Sequence, residues 1–171
     1  MITVKKDENR LIALDLEKQS KLDVVLAGEN ASVEVVGLVL GKGSEERTLD
    51  ANIVHAAPNT RSNVNVRAVL LNKSQFAFRG MVKIEKGARG SDAYLRSDAL
   101  LFDDAKMGDD TPALEILEQD VKAGHAATIG KVDEQMIFYL MTRGLSRKQA
   151  EKLLIEGFTK PILKRINDAK N

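Results

Sequence analysis

The sequence predicts a mainly β body over residues 1–131 followed by a small α-helical domain over residues 132–171. Three observations carry this. Apolar residues alternate with polar ones along short segments up to about Lys131, clusters of Gly, Asn and Asp interrupt those segments, and the apolar spacing becomes helical after Val132. Period two marks a strand with one face buried, because successive side chains point to opposite sides. Periodicity alone leaves sandwich, barrel and solenoid open for the body. No strict repeat of fixed length is visible, which disfavours a regular hexapeptide solenoid.

Taken in order, the first strand candidates are Leu11–Leu14 and Leu22–Leu26. In Val33, Val35, Val36, Leu38 and Leu40 the apolar parity switches midway, which predicts a bulge or corner. The Gly41-Lys42-Gly43-Ser44 run reads as a hairpin-like turn; it lacks the glycine spacing and following helix of a phosphate loop. Ile53–Ala56 comes next, then a face of Val64, Val66, Ala68 and Leu70 ended by Asn72. The clearest strand is Gln75–Glu85, with Phe76, Phe78, Gly80, Val82 and Ile84 on one side and Gln75, Arg79 and Lys83 on the other. Ala93–Phe102 and Ala113–Leu117 complete the set, and the acidic runs Asp103-Asp104 and Asp109-Asp110 read as solvated turns.

Asp133 is placed to cap a helix bearing Met136, Ile137, Leu140 and Met141, ended by Gly144. Ser146-Arg147-Lys148-Gln149 has the form of a capping box, followed by the stripe Ala150, Leu153 and Leu154. Gly157 and Pro161 then predict a break before a third short helix with Ile162, Leu163 and Ile166. Three short helices bury too little to stand alone, so this domain must dock on the body, on a partner, or on both.

Composition excludes several functions. Of 171 residues none is Cys, which removes thiolate metal sites, disulfides and thiol catalysis. Lys+Arg number 26 against 25 Asp+Glu, so nucleic-acid binding through phosphate neutralisation is not expected. Residues 132–171 carry net +3, leaving −2 for the remainder. The start of the chain lacks a signal-peptide pattern and no run is long enough to span a membrane, so a cytoplasmic protein is expected. His55, in a strand context, reads as structural, and His125, between Gly124 and Ala126, sits in no metal-binding spacing.

The run Asp120-Val121-Lys122-Ala123-Gly124-His125-Ala126-Ala127-Thr128-Ile129-Gly130-Lys131-Val132-Asp133-Glu134, followed by Phe138-Tyr139-Leu140 and Arg143-Gly144, is longer and more ordered than any motif above. It resembles the signature of the SufB/SufD family, scaffold components of the SUF iron–sulfur cluster assembly machine. His55–Ser62, Pro112–Ile116 and Ala150–Phe158 add further likeness. The resemblance implies a right-handed parallel β-helix (a β-solenoid) followed by helices that dock a SufC-like ABC-type ATPase. It also implies pairing through the β-helix with a SufB/SufD-like subunit or a second copy, with no nucleic acid and no membrane involved.

Carried over position by position, His125 matches a histidine at the family's subunit interface implicated in nascent cluster assembly. Ala126 stands where the SufB branch has Glu, closer to the SufD branch, and Ser97 aligns with an interface cysteine of SufB. Without a thiol the chain is expected to hold no cluster stably by itself, any cluster being transient at a subunit interface. Family members usually run well beyond twice this length, so the chain reads as a minimal version, mostly the C-terminal part, without the sulfur-accepting and tunnel functions. Met136, Phe138, Tyr139, Leu140, Leu153, Leu154 and Phe158 are the candidates for partner docking. No catalytic residue and no metal ligand is assigned. The alternatives are a β-solenoid enzyme acting on carbohydrate, and a structural homodimer in which His125 is a satisfied interface residue.

Overall fold

The computed structural model describes residues 1–170, in which ten strands precede two helices. The strands are β1 (Ile2–Val4), β2 (Asn9–Leu14), β3 (Lys21–Leu26), β4 (Ser32–Gly41), β5 (Glu46–His55), β6 (Arg61–Leu70), β7 (Gln75–Ile84), β8 (Asp92–Leu101), β9 (Lys106–Ile116) and β10 (Lys122–Lys131). Odd-numbered strands form one parallel sheet in the order β1-β3-β5-β7-β9, and even-numbered strands form a second in the order β10-β8-β6-β4-β2. The chain thus crosses from sheet to sheet at every connection and advances one rung per circuit, which makes the body a parallel β-solenoid rather than a sandwich or barrel.

The circuits differ in length, which hides the repeat in the sequence. Asn9 lies beside Ser32, a step of 23 residues; Ser32 beside Arg61 is a step of 29, Arg61 beside Asp92 one of 31, and Asp92 beside Lys122 one of 30. Corners stack even though strand spacing varies. Asn30, Asn59 and Gly90 all have positive φ at one corner, and each donates its N–H to the circuit above: Asn30 to Pro58 O, Asn59 to Arg89 O and Gly90 to Asp120 O. At Gly90 a Cβ would stand 2.4 Å from Asn59 Oδ1, so any larger residue would have to displace that side chain while also adopting a φ of 72°. The Gly41–Ser44 turn, with Gly43 at φ 61°, is likewise a corner and not a hairpin, because β4 and β5 belong to different sheets.

Inward residues of both sheets fill the interior. Phe76, Phe78, Leu49, Ile53, Val64 and Leu95 are fully buried there. The parity switch in β4 is not a bulge, since Ser32–Gly41 pairs with Arg61–Leu70 without interruption. Val33, Val35 and Val39 face the interior, whereas Val36 is buried on the outer face, where helix α2 packs on the sheet. Two apolar faces on one strand therefore mean a helix outside and a core inside.

Helix α1 spans Glu134–Thr142 and α2 spans Arg147–Asp168. Asp133 caps α1 by accepting from Gln135 N, Gly144 follows its C-terminus at φ 94°, and Ser146 with Gln149 forms the capping box of α2. The expected break at Gly157–Pro161 does not occur: α2 runs through both residues, giving two helices, not three. Proline removes one helical N–H, but tertiary contacts hold both sides of it. Thr159 and Ile162 are buried, Arg67 donates to the carbonyl of Phe158, and Arg165 forms a two-pronged ion pair with Glu34 on β4.

Candidate functional site

Both sheets end on the same side of the solenoid, at β9 and β10, and there the interior is open. Register sets which β10 residues face inward: Ala123 lies beside Ala93, His125 beside Leu95, Ala127 beside Ser97 and Ile129 beside Ala99. Their partners on β8 are all buried, but the outermost rung has no rung above it. Ile129 is 51% exposed, Ile116 on β9 is 44% exposed, and His125 and Ala127 are exposed. The structure thus places His125 on the rung after β8, beside Leu95 and two residues off in register from buried Ser97.

A third polar group joins them that the sequence reading assigned to a solvated turn. Asp109 and Asp110 lie within β9, and the register with β7 slips there: Phe76 pairs with Met107 but Phe78 pairs with Asp110. The extra residue is a β-bulge, a device that re-aims side chains. It turns Asp109 outward, 3.8 Å from Arg79, and Asp110 onto the inward face opposite fully buried Phe78. Both carboxylate oxygens of Asp110 are buried without a well-formed hydrogen bond. Burial pushes this carboxyl above the usual carboxylate range, the Ser97 hydroxyl opposes part of that shift, and the Asp98 charge adds to it. Period-two reading could not find Asp110, because the bulge breaks the period at that residue. The other acidic run is a turn as expected: Asp103 has positive φ and accepts from Asn72 N.

The helices present a separate surface. On α1 only Ile137 is buried, and Met136, Phe138, Tyr139 and Met141 are exposed, Phe138 at 68%. Leu140 is half-buried. On α2, Leu153 is exposed, whereas Leu154 and Phe158 are half-buried. They share their side of the helix with buried Ala150, Thr159 and Ile162 at helical spacing. Arg67 of β6 sits over the Phe158 ring at 5.1 Å and 3.8 Å from Asp98, so Phe158 serves the chain's own packing. Arg147 clamps Glu134 through two hydrogen bonds of 2.6 and 2.9 Å and so fixes α1 against α2.

His55 lies inside the solenoid, away from both surfaces. It is fully buried, with Nδ1 2.8 Å from Thr60 Oγ1 and Nε2 2.8 Å from Ser62 Oγ. Thr60 donates its own proton to Ala57 O, so Nδ1–H is the donor to Thr60 and Nε2 accepts from Ser62. Burial lowers this imidazole to about 4, against a smaller opposing pull from Asp92, so it is neutral near pH 7.

Among the described residues no three His, Cys, Asp or Glu side chains are grouped to hold a metal ion, and no helix is long and apolar enough to cross a membrane. A shallow groove on the outer face of the even-numbered sheet is lined by Arg61, Asn63, Tyr94, Asp92 and Glu34, but Glu34 is already held by Arg165.

The molecule is thus a parallel β-solenoid with an exposed, partly apolar end and a C-terminal helical module held on its flank. The chain belongs to the SufBD core family of SUF system FeS cluster assembly, whose model matches residues 17–158. It is 38% identical over 143 residues to an iron–sulfur cluster assembly SufBD family protein of Mycobacterium tuberculosis, covering 84% of this chain and 17% of that protein. It is 33% identical over 138 residues to the iron–sulfur cluster assembly protein SufD of Bacillus subtilis, covering 81% and 32%. SufB of the same organism is 30% identical over 142 residues, covering 83% and 30%. The chain therefore spans less than a third of the length of each of these relatives.

Proposed function

We propose that this chain is a non-catalytic scaffold subunit of a SUF-like iron–sulfur cluster assembly complex, acting in the cytoplasm. It pairs with a second copy or another SufB/SufD-like subunit through the open solenoid end, and it presents its helices to a SufC-like ABC-type ATPase. Motion imposed on the helices by nucleotide turnover passes to the sheet through Arg165–Glu34 and Arg67–Phe158, the contacts that bind α2 to the body. His125 lies on the pairing face, where a cluster or its iron is handled transiently between subunits, with any thiolates supplied from outside this chain.

The observation that carries this reading is the exposed apolar side chains of α1. Four large apolar side chains, Met136, Phe138, Tyr139 and Met141, stand on a nine-residue helix that the rest of the chain leaves mostly uncovered. Such a concentration marks a surface meant to be covered. The test is capture of the cognate ATPase by the full chain. Wild type retains it at micromolar concentration, and Phe138→Asp, a change at an exposed position that leaves the fold intact, reduces retention at least about tenfold, the loss typical of a central interface anchor. No capture by wild type would remove the ATPase from the proposal.

A further inference from the structure

We propose that Met136 and Met141 form an oxidation switch on α1: hydrogen peroxide converts both thioethers to sulfoxides and so stops the helix from docking its partner. The proposal rests on the docking reading above and adds its regulation.

The chain concentrates its accessible sulfur on this helix. None of the 171 residues is Cys, so methionine thioethers are its only sulfur groups, and there are five of them. Met1 stands before β1, Met81 lies on the outer face of β7 beside Asn52 and Ala113, and Met107 is half-buried against the core. The other two share the nine residues of α1, Met136 at 47% and Met141 at 43% exposure, so an oxidant reaches both in the folded chain.

Helical geometry makes them the margins of one exposed arc. Around the axis the order is Met141, Phe138, Tyr139, Met136, and the remaining strip holds buried Ile137 and half-buried Leu140. A helix with large apolar side chains all the way round is one built to be buried. A partner that covers Phe138 and Tyr139 therefore closes over both thioethers.

The chemistry is a two-electron oxidation. A sulfur lone pair attacks one peroxide oxygen and the O–O bond breaks; that oxygen stays on sulfur as the sulfoxide, and the other leaves as water, so the peroxide is reduced. A flexible apolar side chain becomes a polar one with a strong acceptor. In the free chain water hydrates that acceptor. Under a docked apolar surface it loses its water, and a buried acceptor without a donor weakens binding roughly tenfold or more.

The experiment treats the full chain with hydrogen peroxide, removes the oxidant, locates the added oxygen by peptide mass spectrometry and measures capture of the cognate ATPase. Met136 and Met141 oxidise ahead of Met107, and capture falls at least about tenfold. Incubation with both methionine sulfoxide reductases, one for each sulfoxide epimer, restores it. Met81→Leu keeps the peroxide effect. In the double variant Met136→Leu, Met141→Leu, capture after peroxide stays within about twofold of that variant's own level before it. Capture that survives oxidation of both residues overturns the switch and leaves docking standing. So does a loss that the reductases fail to reverse, or one that persists in the double variant. No capture by untreated wild type overturns the docking reading and the switch with it.

Discussion

The two ends of the solenoid are built from the same kind of rung and covered to different degrees. At the β1–β2 end the strands are short, three and six residues; Val4, Leu14 and Leu16 are buried, and Ile2 and Ile12 are half-buried. Leu14 and Leu16 both pack against Gly37 of β4, and Arg47 donates to Leu16 O. At the β9–β10 end the strands are eleven and ten residues long, and the inward side chains of the last rung meet solvent. Inside the stack, His55 is matched by Thr60 and Ser62, and Thr60 in turn lies 2.8 Å from Ser91. At the β9–β10 end, both buried oxygens of Asp110 lack a well-formed hydrogen bond, the Ser97 hydroxyl being the nearby donor. The two ends therefore differ in how much apolar surface the chain itself covers.

The largest effect separates the ends directly. Leu14→Ala empties a site in a closed rung and costs about 2–4 kcal/mol of stability, the range for a buried leucine. Ile129→Ala at the open end removes a side chain already half in water, and in the isolated chain it costs less than about 0.5 kcal/mol. Chemical denaturation of both variants, at concentrations where the chain is monomeric, checks the contrast. Equal costs would mean that the last rung is covered by the chain itself.

A second contrast is read in acid. His55 binds its proton more weakly folded, at about 4 against 6.5, so the unfolded chain holds more protons between those values. Stability therefore falls as pH drops through that window, by roughly 3 kcal/mol in full. Asp110 acts with the opposite sign, because its raised carboxyl binds a proton more readily in the folded chain and acid relieves it. Urea midpoints at about pH 7 and about pH 4.5 for wild type and His55→Gln isolate the histidine, since other carboxylates contribute equally to both. Wild type loses more stability than the variant over that interval; equal losses would mean that His55 is not held neutral.

The sequence made much of this legible, for physical reasons that vary with the residue. Strands such as Gln75–Ile84 announce themselves because one face is dry and the other wet, and the caps at Asp133 and Ser146 because only short polar side chains bond the first helical N–H groups. The solenoid was legible only through family likeness, since period two says nothing about which strand lies beside which and the circuits vary from 22 to 32 residues. Local signals misled where a distant contact overrode them. Val36 looked like a bulge because α2 covers it, and Pro161 looked like a helix end because its anchors Glu34 and Arg67 lie far back in the chain. At the site, His125 stood out through its motif. Asp110 did not, because a single inserted residue decides which way it points.

The smallest effect tests how α2 is held, between the closed and open regions. Arg165 and Glu34 are 44% and 30% exposed, so water screens most of their attraction, and Arg165→Ala costs only about 0.5 kcal/mol or less. Arg67 is 19% exposed and Asp98 7%, and Arg67 also meets the ring and carbonyl of Phe158. Removing Arg67 leaves the Asp98 charge with Arg96 alone, so Arg67→Ala costs more, about 1–3 kcal/mol. Amide exchange across Arg147–Asp168 distinguishes the two contacts, because loosening the dock exposes the helix without unfolding the rungs beneath it. In Arg67→Ala exchange quickens along α2 while β4 and β6 stay protected, and in Arg165→Ala it quickens only in the last turns. If Arg67→Ala quickens the sheet and the helix together, then α2 and the solenoid unfold as one unit, and no motion of the helices could reach the open end without melting the body that carries it.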